Sequence, residues 1–372
     1  MTYGNSVGAE GAMDQPVIQR QIKKREKHSN MSEYRIIIAG QLEFGSERVF
    51  NQVVEQYNHR MENYYKNDIL LKAENIFKEE ELTLDIPRTV VVGSERHWLN
   101  TLNLLERVVS FSMAGSLNLW RLEAGKILDH HILEPKSDRT TVQLFNRGRK
   151  LVNQEEKEQE ALAMMTKVVG RFARHAQAYE RRGYVNFRLN NMDDALYDYN
   201  KSLSINPSMP ESHYGRGLVY ARKEQWEEAA ADFDAVTKNS IPHQAIYWMA
   251  QVALGDTYMQ LKRPADALRV YNMFTKRKQR IGSLDRYNRR INFLLGQLLD
   301  KAGRTEDAIS AFERALEAAP DDKAPEESQI RYHLGLALQK KGLTAEAISN
   351  FEQAAADVPE AHQALEQSRV DA

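Results

Sequence analysis

The chain has 372 residues, 42% of them hydrophobic and 28% charged, with a formal net charge of −1. That length suggests two or three domains with enough apolar material for a core, and the near-neutral charge argues against a protein built to track polyanions. The absence of cysteine excludes disulfides, thiolate metal sites and a cysteine nucleophile, and no apolar run approaches the roughly 20 residues of a membrane span.

Residues 1–32 are polar and carry Arg20, Lys23, Lys24, Arg25 and Lys27 with no apolar segment behind them. They read as a disordered tail rather than a signal peptide, so a cytoplasmic location is expected. The folded pattern begins just after Met31, which makes that residue a candidate start.

Residues 33–135 read as a small α/β domain. The β-branched runs 34–40, 82–86 and 88–93 are predicted strands, the last two separated by Pro87. Segments 44–65 and 93–111 are predicted amphipathic helices, and 117–122 and 126–133 a hairpin turning at Gly125. The tetrapeptide GSER occurs at 45–48 and again at 93–96, each time between a strand and a helix. Ser46 and Ser94 suit N-caps, and Glu47 and Glu95 the positive helix end, which suggests two similar βα units in an α/β sandwich. A helix start can also hold phosphate, but no phosphate-loop spacing is present and the glutamates would repel an anion. Asp129-His130-His131 invites a metal or catalytic reading. Neighbours on a strand point to opposite faces, so the three are not expected to act together. His97 and Trp98 are expected to cap or pack. No catalytic residue, metal or cofactor is expected, and the stretch Glu134–Arg139 is a candidate hinge to the C-terminal part of the chain.

From residue 140 to 372 the chain is periodic. Gly183 and Gly217, Ala195 and Ala229, and Tyr199 and Phe233 each recur 34 residues apart. Three more sets continue the pattern: Gly255, Ala267, Tyr271; Gly296, Ala308, Phe312; Gly335, Ala347, Phe351. Each unit holds two amphipathic stretches of about 14 residues around a polar turn. Small residues are needed where the two helices cross, and the aromatic fills the gap between them. Pro207, Pro320 and Pro359 end second helices. One pair cannot bury its apolar face, so stacking is obligatory. Five clear units span 176–360, a degenerate one is expected over 142–175 around Ala161 and Met165, and a capping helix over 361–372. Successive glycines of the later units lie 38, 41 and 39 apart, which puts a basic insertion at 275–290 and an acidic one at 321–327.

These glycine, alanine and aromatic sets resemble the tetratricopeptide repeat family. The resemblance implies a mainly α fold: a solenoid of helical hairpins, here with a small α/β domain at its N-terminus. It also implies a concave groove, lined by the first helix of each unit, that takes an extended or helical peptide. Carried over by position, the groove residues are Glu180, Tyr184 and Phe187; Tyr214 and Leu218; Val252, Asp256 and Met259; Phe293, Gln297 and Asp300; Tyr332, Leu336 and Gln339. The Lys and Asn clamp for a peptide carboxylate terminus is missing. An apolar or amphipathic guest is therefore expected.

The expected function is a non-catalytic adaptor or scaffold, with the N-terminal domain docking a second partner or self-associating. A second reading is nucleic-acid binding, through the basic tail and the insertion residues Lys276, Arg277, Lys278, Arg280, Arg286, Arg289 and Arg290. An enzyme hidden in 33–135 is a third.

Overall fold

A computed structural model describes residues 33–136, 140–320 and 324–370. The basic tail, part of the candidate hinge and part of the acidic insertion lie outside these residues. The N-terminal domain is built on a five-stranded antiparallel sheet, β1 (Tyr34–Glu43), β2 (Phe77–Lys78), β3 (Thr83–Gly93), β4 (Ala114–Glu123) and β5 (Lys126–Leu133), in the order β2-β3-β1-β4-β5. Helices α1 (Glu47–His59), α2 (Ala73–Ile76) and α3 (Glu95–Val109) follow the chain between strands.

Strand alternation sorts the side chains. Ile36, Ile38, Leu117 and Leu119 pack on Phe50, Val53, Trp98 and Leu105 of the helices. Ser46 and Ser94 do cap α1 and α3, and His97 completes a reciprocal cap with Ser94. The sheet departs from the expected pair of similar units in two respects, the first being the added short strand β2 at its edge. Pro87 does not separate two strands: β3 runs through it, and the pairing with β1 slips by one residue between Ile38 and Gly40 instead. A bulge absorbs the missing donor of proline.

The rest of the described chain is a stack of helical hairpins: α4 (Thr140–Val152) with α5 (Glu158–Arg171), α6 (Ala176–Arg188) with α7 (Met192–Ile205), and α8 (Pro210–Arg222) with α9 (Trp226–Asn239). Then come α10 (Ala245–Gln260) with α11 (Pro264–Thr275), α12 (Asn288–Lys301) with α13 (Thr305–Glu317), and α14 (Glu327–Lys340) with α15 (Thr344–Ala354). Helix α16 (Pro359–Val370) packs on the last pair. One continuous apolar core runs from Ala229 to Leu365.

The glycine requirement is geometric. A Cβ on Gly296 would sit 2.5 Å from Cε1 of Phe312 in the partner helix, too close for any real contact. The first hairpin, α4/α5, obeys the same logic one residue out of phase. Its close contact is Gly148 against Met165, 35 residues before Gly183. In α6 and α8 the residue before the glycine is arginine rather than leucine. Arg182 grips Asp198 at 2.7–3.1 Å and Arg216 grips Asp232 at 2.8 Å, where the later units place Leu254, Leu295 and Leu334.

The second face of the sheet docks on the solenoid. Ile37, Trp120 and Leu122 close around Ile241, which lies in the loop between α9 and α10. Polar contacts surround this patch. Gln41 donates to the Ile205 carbonyl (3.0 Å), Arg88 to that of Ser240 (2.6 Å), and Gln177 to Ser116 (3.2 Å).

Candidate functional site

Successive first helices of the hairpins touch directly, α4 with α6, α6 with α8, α8 with α10, and α12 with α14. That closeness makes theirs the inner, concave side of the stack. Its residues are not equally available. Tyr184, Phe187, Leu218, Met259, Phe293, Tyr332 and Leu336 are half-buried and present apolar surface along this face. Glu180 and Val252 are buried, at 4% and 3% exposure. Gln297 bonds to His333 (3.1 Å), Asp300 pairs with Lys340 (2.6 Å), and Gln339 donates to Ser368 of α16, which closes the far end.

The basic insertion is not a uniform cationic patch. A 3₁₀ turn, Gly282–Tyr287, wedges between α10 and α12 and packs on both. Arg277 stacks over Phe274 at 4.0 Å and donates to Asn288 (2.9 Å). Arg286 lies over Tyr287, Arg289 is buried against the Pro325 carbonyl, and Arg290 grips Asp256. Lys276, Lys278 and Arg280 are exposed. Tyr214 lies close to this turn. Burial pushes its hydroxyl pKa up, with Tyr287 adding to the rise and Arg286 opposing it.

A cavity of about 280 Å³ lies where the sheet meets the solenoid. Its walls include Gln41, Glu43, Ser116 and His130 from the sheet, Arg149 of α4, Gln177, Glu180 and Arg181 of α6, and Glu211 of α8. Glu43 accepts from Gln41 (2.7 Å) and Arg174 (3.3 Å), yet burial raises its pKa to about 7. Glu180 is likewise raised to about 7, first by burial and further by Glu211, with Arg181 opposing. No sequence signal marked Glu43 or Arg174. They meet only because the two domains dock.

Strand alternation sends His130 to one face and Asp129 and His131 to the other. Asp129 pairs with Arg121 (2.5 Å), His130 stacks on Trp120 on one face of the sheet, and His131 lies near Trp98 on the other. No cluster of three or more metal-binding side chains occurs among the described residues, and no helix there is long and apolar enough to cross a membrane.

Family models described as tetratricopeptide repeat match residues 214–283, 252–323 and 290–360, and one described as TPR repeat matches 183–224. Residues 183–360 are tetratricopeptide repeats. The human DnaJ homolog subfamily C member 7 is 30% identical over 82 residues, which cover 22% of this chain and 17% of that protein. The chain thus spans under a fifth of that relative. Among solved structures, YrrB, described as a TPR protein with an unusual peptide-binding site, is 22% identical with a TM-score of 0.45, covering 54% of this chain and 96% of its own. Pseudomonas aeruginosa PilF is 14% identical with a TM-score of 0.47, covering 63% and 99%. Tetratricopeptide repeats typically mediate protein–protein interactions. The repeat matches begin at residue 183, so the sheet domain and the α4/α5 hairpin lie before them.

Proposed function

We propose that this chain is a non-catalytic adaptor whose repeats hold a segment of a partner protein on their concave face. One observation carries the reading. The first helices present a row of half-buried apolar side chains, Tyr184, Phe187, Leu218, Met259, Phe293, Tyr332 and Leu336, which pack inward on the repeat cores and leave the rest of their apolar surface open along one face. An amphipathic helix or extended apolar segment matches such a surface. The wedge at 282–287 interrupts the row between α10 and α12, so the guest contacts two stretches of it.

The test is affinity capture with the full chain, comparing wild type with Tyr184→Ala/Tyr332→Ala and with Tyr197→Ala, an exposed position on a second helix. Loss of the same captured proteins in the double variant alone, with unfolding curves that remain cooperative, supports the reading. Identical capture by all three sinks it.

A further inference from the structure

We infer that the cavity between sheet and solenoid recognises a lysine or arginine side chain of the polypeptide held on the concave face, an inference that rests on the adaptor reading above. The cavity, about 280 Å³, has room for such a side chain and a few waters, each filling about 30 Å³. Four carboxylates line it, those of Glu43, Glu134, Glu180 and Glu211, together with the guanidiniums of Arg88, Arg149 and Arg181, so its appetite for a further cation depends on which carboxylates those guanidiniums leave under-served. Two already have donors: Glu43 accepts from Gln41 and Arg174, and Glu134 from Arg149 at 2.6 Å.

Glu180 differs. It is 4% exposed, and its Oε2 accepts no hydrogen bond. Arg181 Nε approaches that oxygen at 3.1 Å without hydrogen-bond geometry, and the same guanidinium also feels Glu211. One cation is therefore shared by two carboxylates. A buried carboxylate short of donors is unfavourable. A guest ammonium or guanidinium supplies both the donors and the compensating charge. The three-ligand geometry a metal ion wants is not formed by the described residues, which favours an organic cation.

Helical spacing connects the cavity to the groove. Glu180, Tyr184 and Phe187 lie along one stripe of α6, and Glu211, Tyr214 and Leu218 along one stripe of α8. A segment lying on the aromatic row therefore passes the acidic pair and can lower one side chain toward it.

The test titrates the full chain with a leucine-rich helical peptide bearing one arginine or lysine near its end. The same peptide with citrulline or norleucine at that position is the uncharged control, and free L-argininamide is a separate arm. The expected result is about tenfold or more tighter binding of the charged peptides, a preference that disappears in Glu180→Gln and shrinks in Glu211→Gln. Equal binding of charged and uncharged peptides overturns the inference. So does a preference that survives Glu180→Gln, or no binding in any arm. Argininamide binding as tightly as the peptides overturns the assignment to a polypeptide. The Tyr184→Ala/Tyr332→Ala variant separates the two readings. If it loses partners while Glu180→Gln keeps them all, the cavity assignment fails and the adaptor reading stands.

Discussion

Asp256 and Arg290, one on α10 and the other on α12, form a two-pronged ion pair across the wedge of the basic insertion, both contacts at 2.9 Å. Tyr271 adds a third hydrogen bond to the same carboxylate at 2.6 Å. Taken singly, Asp256 is an acidic groove residue and Arg290 part of a basic patch. Together they cancel each other's charge and tie two repeats across a loop. The Asp256 side chain is 42% exposed, so solvent weakens the pair. A double-mutant cycle with Asp256→Asn and Arg290→Gln is expected to give a coupling energy of about 1 kcal/mol in urea unfolding. Additive single effects would show that the contact is geometric only.

Periodic small residues are legible in sequence because each repeat solves the same local packing problem. Gly217 and Phe233 must recur whatever lies around them. The α4/α5 hairpin departs from that pattern in two places: Met165 stands where the other units have an aromatic, and the longer turn between its helices shifts Gly148 by one residue against Gly183. The candidate site was legible in part. Tyr184 and Leu336 follow from helix position alone, whereas the cavity that Glu180 lines exists only because the sheet docks on the solenoid. No local pattern encodes that docking. The cationic run 276–290 is likewise reshaped by its fold. Arg277 and Arg289 spend their charge on a neighbouring ring and on carbonyls brought close by folding.

The raised pKa of Glu180 has a stability consequence of definite sign. Its carboxyl titrates near 7 in the folded chain, against 4.5 when unperturbed. Between those values the folded state holds a proton that the unfolded state has released. Stability from this group therefore falls as pH rises from 4.5 to 7, by up to about 3 kcal/mol. Glu180→Gln keeps the shape and removes the titration. The variant is expected to match wild type near pH 5 and to exceed it at pH 8, read from urea midpoints at the two pH values. A gap that is the same at both would contradict the assignment.

His175 works in the opposite direction. It caps α6, its Nδ1 accepting from the Ala178 amide at 3.3 Å, and its ring packs 4.4 Å from that of Phe145. Burial lowers its pKa from 6.5 to about 3. Below 6.5 the unfolded chain takes up a proton that the folded chain refuses, so stability falls as pH falls toward 3. The slope approaches about 1.4 kcal/mol per pH unit. His175→Asn preserves a capping side chain and cannot titrate. It is expected to cost stability at pH 7 through lost ring packing, yet to lose less than wild type on acidification to pH 4.5. Parallel pH profiles for the two proteins would rule out His175 as a source of acid sensitivity.

Two helical glycines should respond to alanine with opposite signs. Gly170, near the end of α5, faces open space, so a methyl group there meets nothing. Only helix propensity acts, and Gly170→Ala is expected to stabilise by about 0.5–1 kcal/mol. Gly296 in α12 gains the same propensity, but its Cβ would press on Phe312 at three ring atoms between 2.5 and 2.9 Å. The ring is fully buried and has no free space to yield into. Overpacking of this kind costs about 1–3 kcal/mol, which outweighs the propensity gain. Gly296→Ala is therefore expected to lower the unfolding midpoint and Gly170→Ala to raise it. If both substitutions stabilise, the helices of that hairpin are not held at the separation described, and the close-approach account of the repeat fails there.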